Sequence, residues 1–328
     1  MGRSRDVPLK LFLTMFATIA IAAAAPAHAQ SDAARWVTLG TQGGPIPLKT
    51  RSQPANLLMT ADGAYVIDAG DGVSEQLAKA GVSLQQVKAV LLSHLHFDHT
   101  AGLFGIISLR WQTNVTAPLT IYGPPGTRVM VDGLLAAMGP AVQAGYAYPQ
   151  ERKTAFQPGI TVVEVRDGAT FDLGSTHVST AKNTHYTFIP GSADDQAFES
   201  LSYRFDTPGR SIAYTGDTGP SEAVTRLASG ADMLVTEMID FDRTVAEIGR
   251  VSPNLPDAAK AGIMIHLRDH HLTPAQVGEL ASAAHVGSVV VTHLSAPEMD
   301  AGRAAEYLRE IGQAFAGHAV IAEDLNSF

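Results

Sequence analysis

The chain has 328 residues, with 23 Lys and Arg against 32 Asp and Glu, 12 His and no Cys, for a formal net charge of −9. At 45% hydrophobic and 17% charged it is neither disordered nor fibrous in composition, and it can bury a full-sized core. The acidic balance argues against a nucleic-acid groove, and the missing Cys excludes disulfides, iron–sulfur clusters, thiolate zinc sites and cysteine nucleophiles, so any metal must be held by His and carboxylates.

Arg3, Arg5 and Lys10 precede the apolar stretch LFLTMFATIAIAAAAPA, which ends in Ala27-His28-Ala29. A basic start, an apolar run and an A-x-A site predict a signal peptide over residues 1–29, cut before Gln30. The uninterrupted apolar run is short for a membrane span of about 20 residues, and without Cys there is no lipid anchor. The expectation is a periplasmic or secreted protein, off the membrane once the signal is cut, with one domain over residues 30–328. Residues 1–29 carry three basic groups and one acidic group, which leaves the remainder at about −11.

Beyond the leader, short β-rich runs alternate with amphipathic stretches, without repeats or low-complexity linkers. Strands are predicted at 36–39, before a glycine turn at 40–45, and in a hairpin of 56–60 with 64–68. A helix over 73–80 is closed by Gly81. A buried strand over 87–93 follows. Further strands are predicted at 119–122, 160–165, 177–181, 201–205, 211–214, 233–236 and 288–292. Helices are predicted at 127–138, 221–228, 274–284 and 301–313. The third of these has Thr273 at the N-cap and Pro274 in its first turn. Segments 139–158 and 239–272 have weak periodicity and read as loops or short helices near a mouth. Strands in two runs, each followed by helices, predict an α/β (α+β) architecture of two packed sheets with helices outside.

The sharpest feature is Ser93-His94-Leu95-His96-Phe97-Asp98-His99-Thr100, directly after an apolar strand. On extended backbone His94 and His96 point to one side, so both can reach one ion. A turn starting at Asp98 can carry Asp98 and His99 toward a second ion. Imidazole and carboxylate donors without sulfur suit Zn first, with Mn or Fe as alternatives.

His94-x-His96-x-Asp98-His99 resembles the HxHxDH signature of the metallo-β-lactamase fold, a superfamily of dinuclear metallohydrolases built as a four-layer αββα sandwich. Three later segments match in order: His185 in Asn183-Thr184-His185, Asp217 in Gly216-Asp217-Thr218 and His293 in Val291-Thr292-His293. The resemblance, which runs from about Trp36 to about Pro297, implies two divalent metal ions. His94, His96, His185 and Asp217 would hold one ion. Asp98, His99, Asp217 and His293 would hold the other. Each later residue has a plainer reading: His185 a solvated strand end, Asp217 an N-cap for the helix from Ser221. The need for a bridging anion favours Asp217 as a ligand.

Asp269-His270-His271-Leu272-Thr273-Pro274 resembles the His-x-Ser/Thr segment of ribonuclease Z and arylsulfatase relatives. It makes His271 the candidate proton donor or oxyanion stabiliser, with His270 competing. Glu237 could fix the tautomer of His271 or be a surface acid, and Asp68 could orient a ligand His. His177, His266, His285 and His318 have no motif context and read as surface or core residues.

In such a site two cations about 3.5–4 Å apart activate a bridging water, and Asp98 is both ligand and base. Asp217 counts against a β-lactamase, since enzymes of that activity usually lack the bridging Asp. Only 31 residues separate His185 from Asp217, too few for the tRNA-gripping arm of ribonuclease Z plus two strands. An exported acidic chain is also a poor partner for RNA, whose binding depends on neutralising phosphates. The expected activity is metal-dependent hydrolysis of small anionic esters, phosphodiesters or aryl sulfates, by a metal-bridged hydroxide. The alternatives are a lactonase or β-lactamase, or a non-catalytic metal-binding protein.

Overall fold

The alternating apolar runs fold into two sheets in a computed structural model that describes residues 1–2, 34–145, 159–186 and 188–328. Beyond Gly2, the expected signal peptide and its cleavage site lie outside the described residues. The first sheet follows chain order: β1 (Arg35–Gly40), β2 (Ala55–Thr60), β3 (Gly63–Ala69), β4 (Val87–Leu91), β5 (Leu119–Gly123) and β6 (Ile160–Glu164). The second runs β7 (Thr170–Leu173), β8 (Thr176–Lys182), β9 (Leu201–Asp206), β10 (Ser211–Tyr214), β11 (Met233–Ile239), β12 (Ser288–Ser295) and β13 (His318–Ile321). In each sheet an antiparallel portion joins a parallel one: β3 to β6 are parallel in the first, β10 to β13 in the second.

Trp36, Tyr203, Phe205 and Tyr214 fill the space between the sheets, with the Trp36 ring 5.9 Å from Phe205 and 5.8 Å from Tyr214. β12 shows how the layers are sorted. Val290 faces this central core, whereas Val289 and Val291 belong to the outer one, as the period-two pleat requires. Outside the first sheet lie α1 (Val73–Lys79), α2 (Phe97–Thr100), α3 (Leu103–Gln112), α4 (Thr127–Ala137) and α5 (Gly139–Ala144). Leu77, Ile106, Ile107 and Val131 of this layer pack on Val66, Val90 and Ile121. After α6 (Ala193–Ala197), the outer face of the second sheet is covered by α7 (Glu222–Leu227), α10 (Pro274–Ala283) and α11 (Ala301–Ile311). The result is the expected four-layer αββα sandwich.

The start of α10 follows the sequence signal closely. Thr273 Oγ1 accepts from the Gln276 amide, and Gln276 Oε1 accepts from the Thr273 amide, a complete capping box. Two expectations are corrected. The strand predicted over 87–93 ends at Leu91, which leaves the residues before His94 outside the ladder. Within 239–272, read as loops or short helices, stand two longer helices, α8 (Phe241–Val251) and α9 (Asp257–Asp269). Neither buries a residue fully, yet Phe241, Val245 and Ile248 of α8 recur at helical spacing, an amphipathic signal that the reading as weak periodicity missed. α3 escaped notice for the opposite reason: LFGIISLRWQ is apolar on most sides.

Candidate dinuclear metal centre

The candidate residues meet at one edge of the sandwich, beyond the carboxyl ends of the parallel strands, where open α/β sheets place their ligands. β3 carries Asp68 next to its last residue, β4 leads into His94 and His96, and α2 carries Asp98 and His99. From the second sheet come His185 after β8, Asp217 after β10, Glu237 in β11 and His293 in β12. Local backbone makes two of these placements. Gly216 adopts φ 57°, and a Cβ there would stand 2.9 Å from the Ser93 side chain, so the turn that presents Asp217 needs glycine. His293 adopts φ 39° where the pairing of β11 with β12 slips, a bulge that re-aims its side chain.

Asp217 is the hub. Its Oδ2 lies 3.2 Å from His293 Nε2, 3.4 Å from His99 Nε2, 3.7 Å from His185 Nε2 and 4.0 Å from His94 Nε2. Asp98 Oδ2 lies 3.7 Å from both His99 Nε2 and His293 Nε2. His96 Nδ1 stands 3.0 Å from His185 Nε2. Donor atoms of His94, His96 and His185 therefore form one cluster, and those of Asp98, His99 and His293 a second. Asp217 joins His94 and His99 between them. All seven residues named as ligands from the sequence come together.

The donors fit a pair of cations because the protein leaves them unsatisfied. His94 Nε2, His99 Nε2, Asp217 Oδ1 and both ring nitrogens of His293 are buried without a hydrogen-bond partner. Buried polar atoms are rarely left so, and five at one point mark a place for an ion. On His94, His99 and His185 the other ring nitrogen is tied down, which fixes the tautomer. His99 Nδ1 donates to Asp68 Oδ2 at 2.9 Å, His94 Nδ1 to Ser93 Oγ at 3.0 Å and His185 Nδ1 to the His270 carbonyl at 3.2 Å. Asp68, read from the sequence as a partner that could orient a ligand His, is thus bonded to His99. It also accepts from the Ser93 amide, the Ser93 hydroxyl and the Tyr214 hydroxyl.

The electrostatics follow from this crowding. Burial pushes the His94 and His185 imidazoles well below their ordinary range, which keeps them neutral and ready to ligate. Burial opposes charge on His99 too, but Asp217, Asp68 and Asp98 outweigh it and hold that ring well above its ordinary range. Burial likewise works against ionised Asp217, and the surrounding His residues overcome it, keeping the carboxylate well below its usual value.

His271 and His270 have different surroundings. His271 is buried, donates through Nδ1 to Glu237 Oε2 at 2.7 Å and lines the cavity above the clusters. Glu237 is held in turn by the Thr218 amide at 2.7 Å, so it is an internal partner rather than a surface acid. Although burial works against it, Glu237 lifts the His271 pKa to about 9. The His270 ring instead bonds the Thr184 carbonyl. Asp217 is not an N-cap, because Ser221 caps α7 with its own hydroxyl. One expectation fails: His266, read as a surface or core residue, lines the cavity from α9, its ring 4.9 Å from His185 and 5.3 Å from His271. Only its place on an unrecognised helix could have signalled this.

The sequence pattern of the Beta-lactamase superfamily domain matches residues 64–294. Ribonuclease Z of Mycobacterium bovis (strain BCG / Pasteur 1173P2) is 30% identical over 293 residues, covering 88% of this chain and 96% of that protein. Among solved structures, the metallo-β-lactamase fold protein YhfI from Bacillus subtilis aligns over 90% of this chain and 98% of its own, with TM-score 0.62 and 18% identity. The short form of human tRNase Z aligns over the same shares, with TM-score 0.59 and 19% identity. With its two sheets, its clustered His and Asp donors and this match over most of its length, the chain belongs to the metallo-β-lactamase superfamily of hydrolases and resembles the ribonuclease Z members of it.

Proposed function

We propose that the protein is an exported dinuclear-metal hydrolase of small anionic esters, phosphodiesters or aryl sulfates, with Zn as its first metal. The observation that carries this is Asp217, one carboxylate within 3.2–4.0 Å of four imidazoles from both sheets, placed to serve two ions at once. Two cations held there would supply Lewis acidity at the ester oxygen and an activated water.

The chain's own groups divide the remaining work. Asp98 lines the cavity, and although burial works against its charge, His99 and His293 hold it ionised, able to accept a proton at Oδ2. His271 keeps Nδ1 on Glu237 and faces the cavity as an imidazolium, able to steady a developing negative charge or protonate a leaving oxygen. His271→Ala is expected to lower kcat by about 10²–10⁴-fold, and Glu237→Gln by less, with metal content unchanged in both. Stopped assays and ICP-MS on the same samples check this. Loss of metal in His271→Ala would make that residue a ligand instead.

An RNA substrate is the second reading, favoured by the name of the ribonuclease Z relatives. Against it stands the short span between β8 and β9, which holds only the five-residue α6 among the described residues. The deciding assay uses metal-loaded protein on bis-p-nitrophenyl phosphate, p-nitrophenyl sulfate, a lactone, nitrocefin and a precursor tRNA. Turnover of either of the first two supports the proposal. Turnover of the lactone, nitrocefin or RNA alone overturns it. Chelation is expected to lower the melting temperature by about 5–10 °C, reversed by Zn, because binding energy of the ions is folding energy. Export is tested separately: protein recovered from the periplasm or medium should begin at Gln30.

A further inference from the structure

The cavity above the metal-binding residues measures about 790 Å³, far more than a phosphate or sulfate group occupies. Most of its histidines and carboxylates lie on the sandwich side, α8 and α9 add Glu247 and His266, and much of the rest is hydrocarbon. Ile248 of α8 faces in, together with Ile263 and Leu267 of α9, which sit four residues apart on one helix face. Leu48 approaches from the loop before β2. At the rim stand Phe97, 85% exposed, and Phe198, 39% exposed, which extend the apolar lining to the mouth.

Charge points the same way. Among the described residues no Lys or Arg lines the cavity, and its one acid away from the ligands and the Glu237 pair, Glu247, is engaged by Arg250. Away from His271 and the metal-binding residues, a second negative charge on the substrate would face hydrocarbon without a counterion, which is costly. A nucleotide chain would bring one such charge per residue.

We infer that α8, α9 and the rim phenylalanines form a subsite for a bulky apolar arm, so that the preferred substrate is a monoanionic ester carrying one aryl-sized hydrocarbon group beside the bond that is cut. This rests on the ester-hydrolase reading and narrows it. It also gives α8 and α9 a purpose: they bury little of themselves because part of their apolar face is kept for the substrate.

Two measurements on metal-loaded protein test the inference apart from the reading beneath it. Calorimetry compares diphenyl phosphate with dimethyl phosphate, and turnover compares phenyl p-nitrophenyl phosphate with methyl p-nitrophenyl phosphate. Burying a phenyl ring should make diphenyl phosphate bind at least about 10-fold tighter and raise kcat/KM for the phenyl ester by about 10-fold, mainly through KM. Ile263→Asp and Leu267→Asp should each bring both ratios below about 3-fold, with melting curves showing that the variants fold. Equal binding of the two phosphates, or ratios that survive both substitutions, overturns the subsite. A diphenyl preference without any ester turnover leaves the subsite standing and removes the hydrolase reading. Turnover with a flat arm preference does the reverse.

Discussion

Asp217→Ala should abolish ester turnover, by at least about 10³-fold, and lower bound metal from about two ions per chain to one or fewer. Removing any one imidazole takes a donor from one ion. Removing Asp217 takes the atom that both clusters approach, with His94 and His185 on one side and His99 and His293 on the other. Nothing nearby can substitute. Glu237 is committed to His271 and Thr218, and Asp68 to His99, Ser93 and Tyr214. The carboxylate is also the closest anion to several buried imidazoles, so its loss leaves the ions' positive charge less balanced in a region with little water. Asp217→Asn keeps the shape but halves the donor capacity, and should fall between the alanine variant and the unaltered protein in metal content. ICP-MS on dialysed protein, with turnover of bis-p-nitrophenyl phosphate, decides the matter. Retention of two ions with activity within about 10-fold would show that Asp217 does not bridge.

The ligand set was legible because its members lie within or soon after strands whose apolar runs are visible in the sequence, and the spacing of His94, His96, Asp98 and His99 leaves few other uses for them. The orienting residues were legible only in part. Asp68 and Glu237 are ordinary acids at strand ends until the fold brings Tyr214 and His271 against them across long stretches of chain. Long-range pairing of that kind leaves no periodic trace. His266 was missed for a related reason: it lies on α9, a helix not recognised in the sequence, and it meets His185 and His271 only through tertiary packing. Local chemistry wrote the ligands into the sequence, and tertiary packing wrote the rest of the cavity.

The largest effect on stability should come from Asp68, which is not among the seven residues proposed to hold the ions but bonds to one of them, His99. The residue is fully buried, and its carboxylate accepts four hydrogen bonds: from the Ser93 amide at 2.7 Å, the Ser93 hydroxyl at 2.8 Å, the Tyr214 hydroxyl at 2.6 Å and His99 Nδ1 at 2.9 Å. Asp68 also adopts φ 58°, a left-handed conformation that Asp and Asn tolerate better than Ala. Asp68→Asn keeps the backbone preference but turns one oxygen into a donor that faces other donors, while Asp68→Ala leaves all four donors bare and adds strain. Both are expected to destabilise the metal-free protein by about 3–5 kcal/mol, with the alanine variant worse, measured by urea unfolding in chelator. The cost should depend on pH with a definite sign. His99 is held well above its ordinary 6.5, burial opposing and Asp217, Asp68 and Asp98 prevailing. The stability drawn from its charged form is therefore complete below about pH 6.5 and fades as pH rises through the elevated folded value. The gap between the unaltered protein and Asp68→Asn should narrow over that rise, since the variant lacks one of the three carboxylates that hold the proton. With the tautomer of His99 no longer fixed, metal affinity should fall about 10–100-fold, and excess Zn should restore part of the turnover, as it would not for Asp217→Ala. A variant as stable as the unaltered protein, or one that excess Zn leaves wholly inactive, would place Asp68 among the ligands rather than behind them.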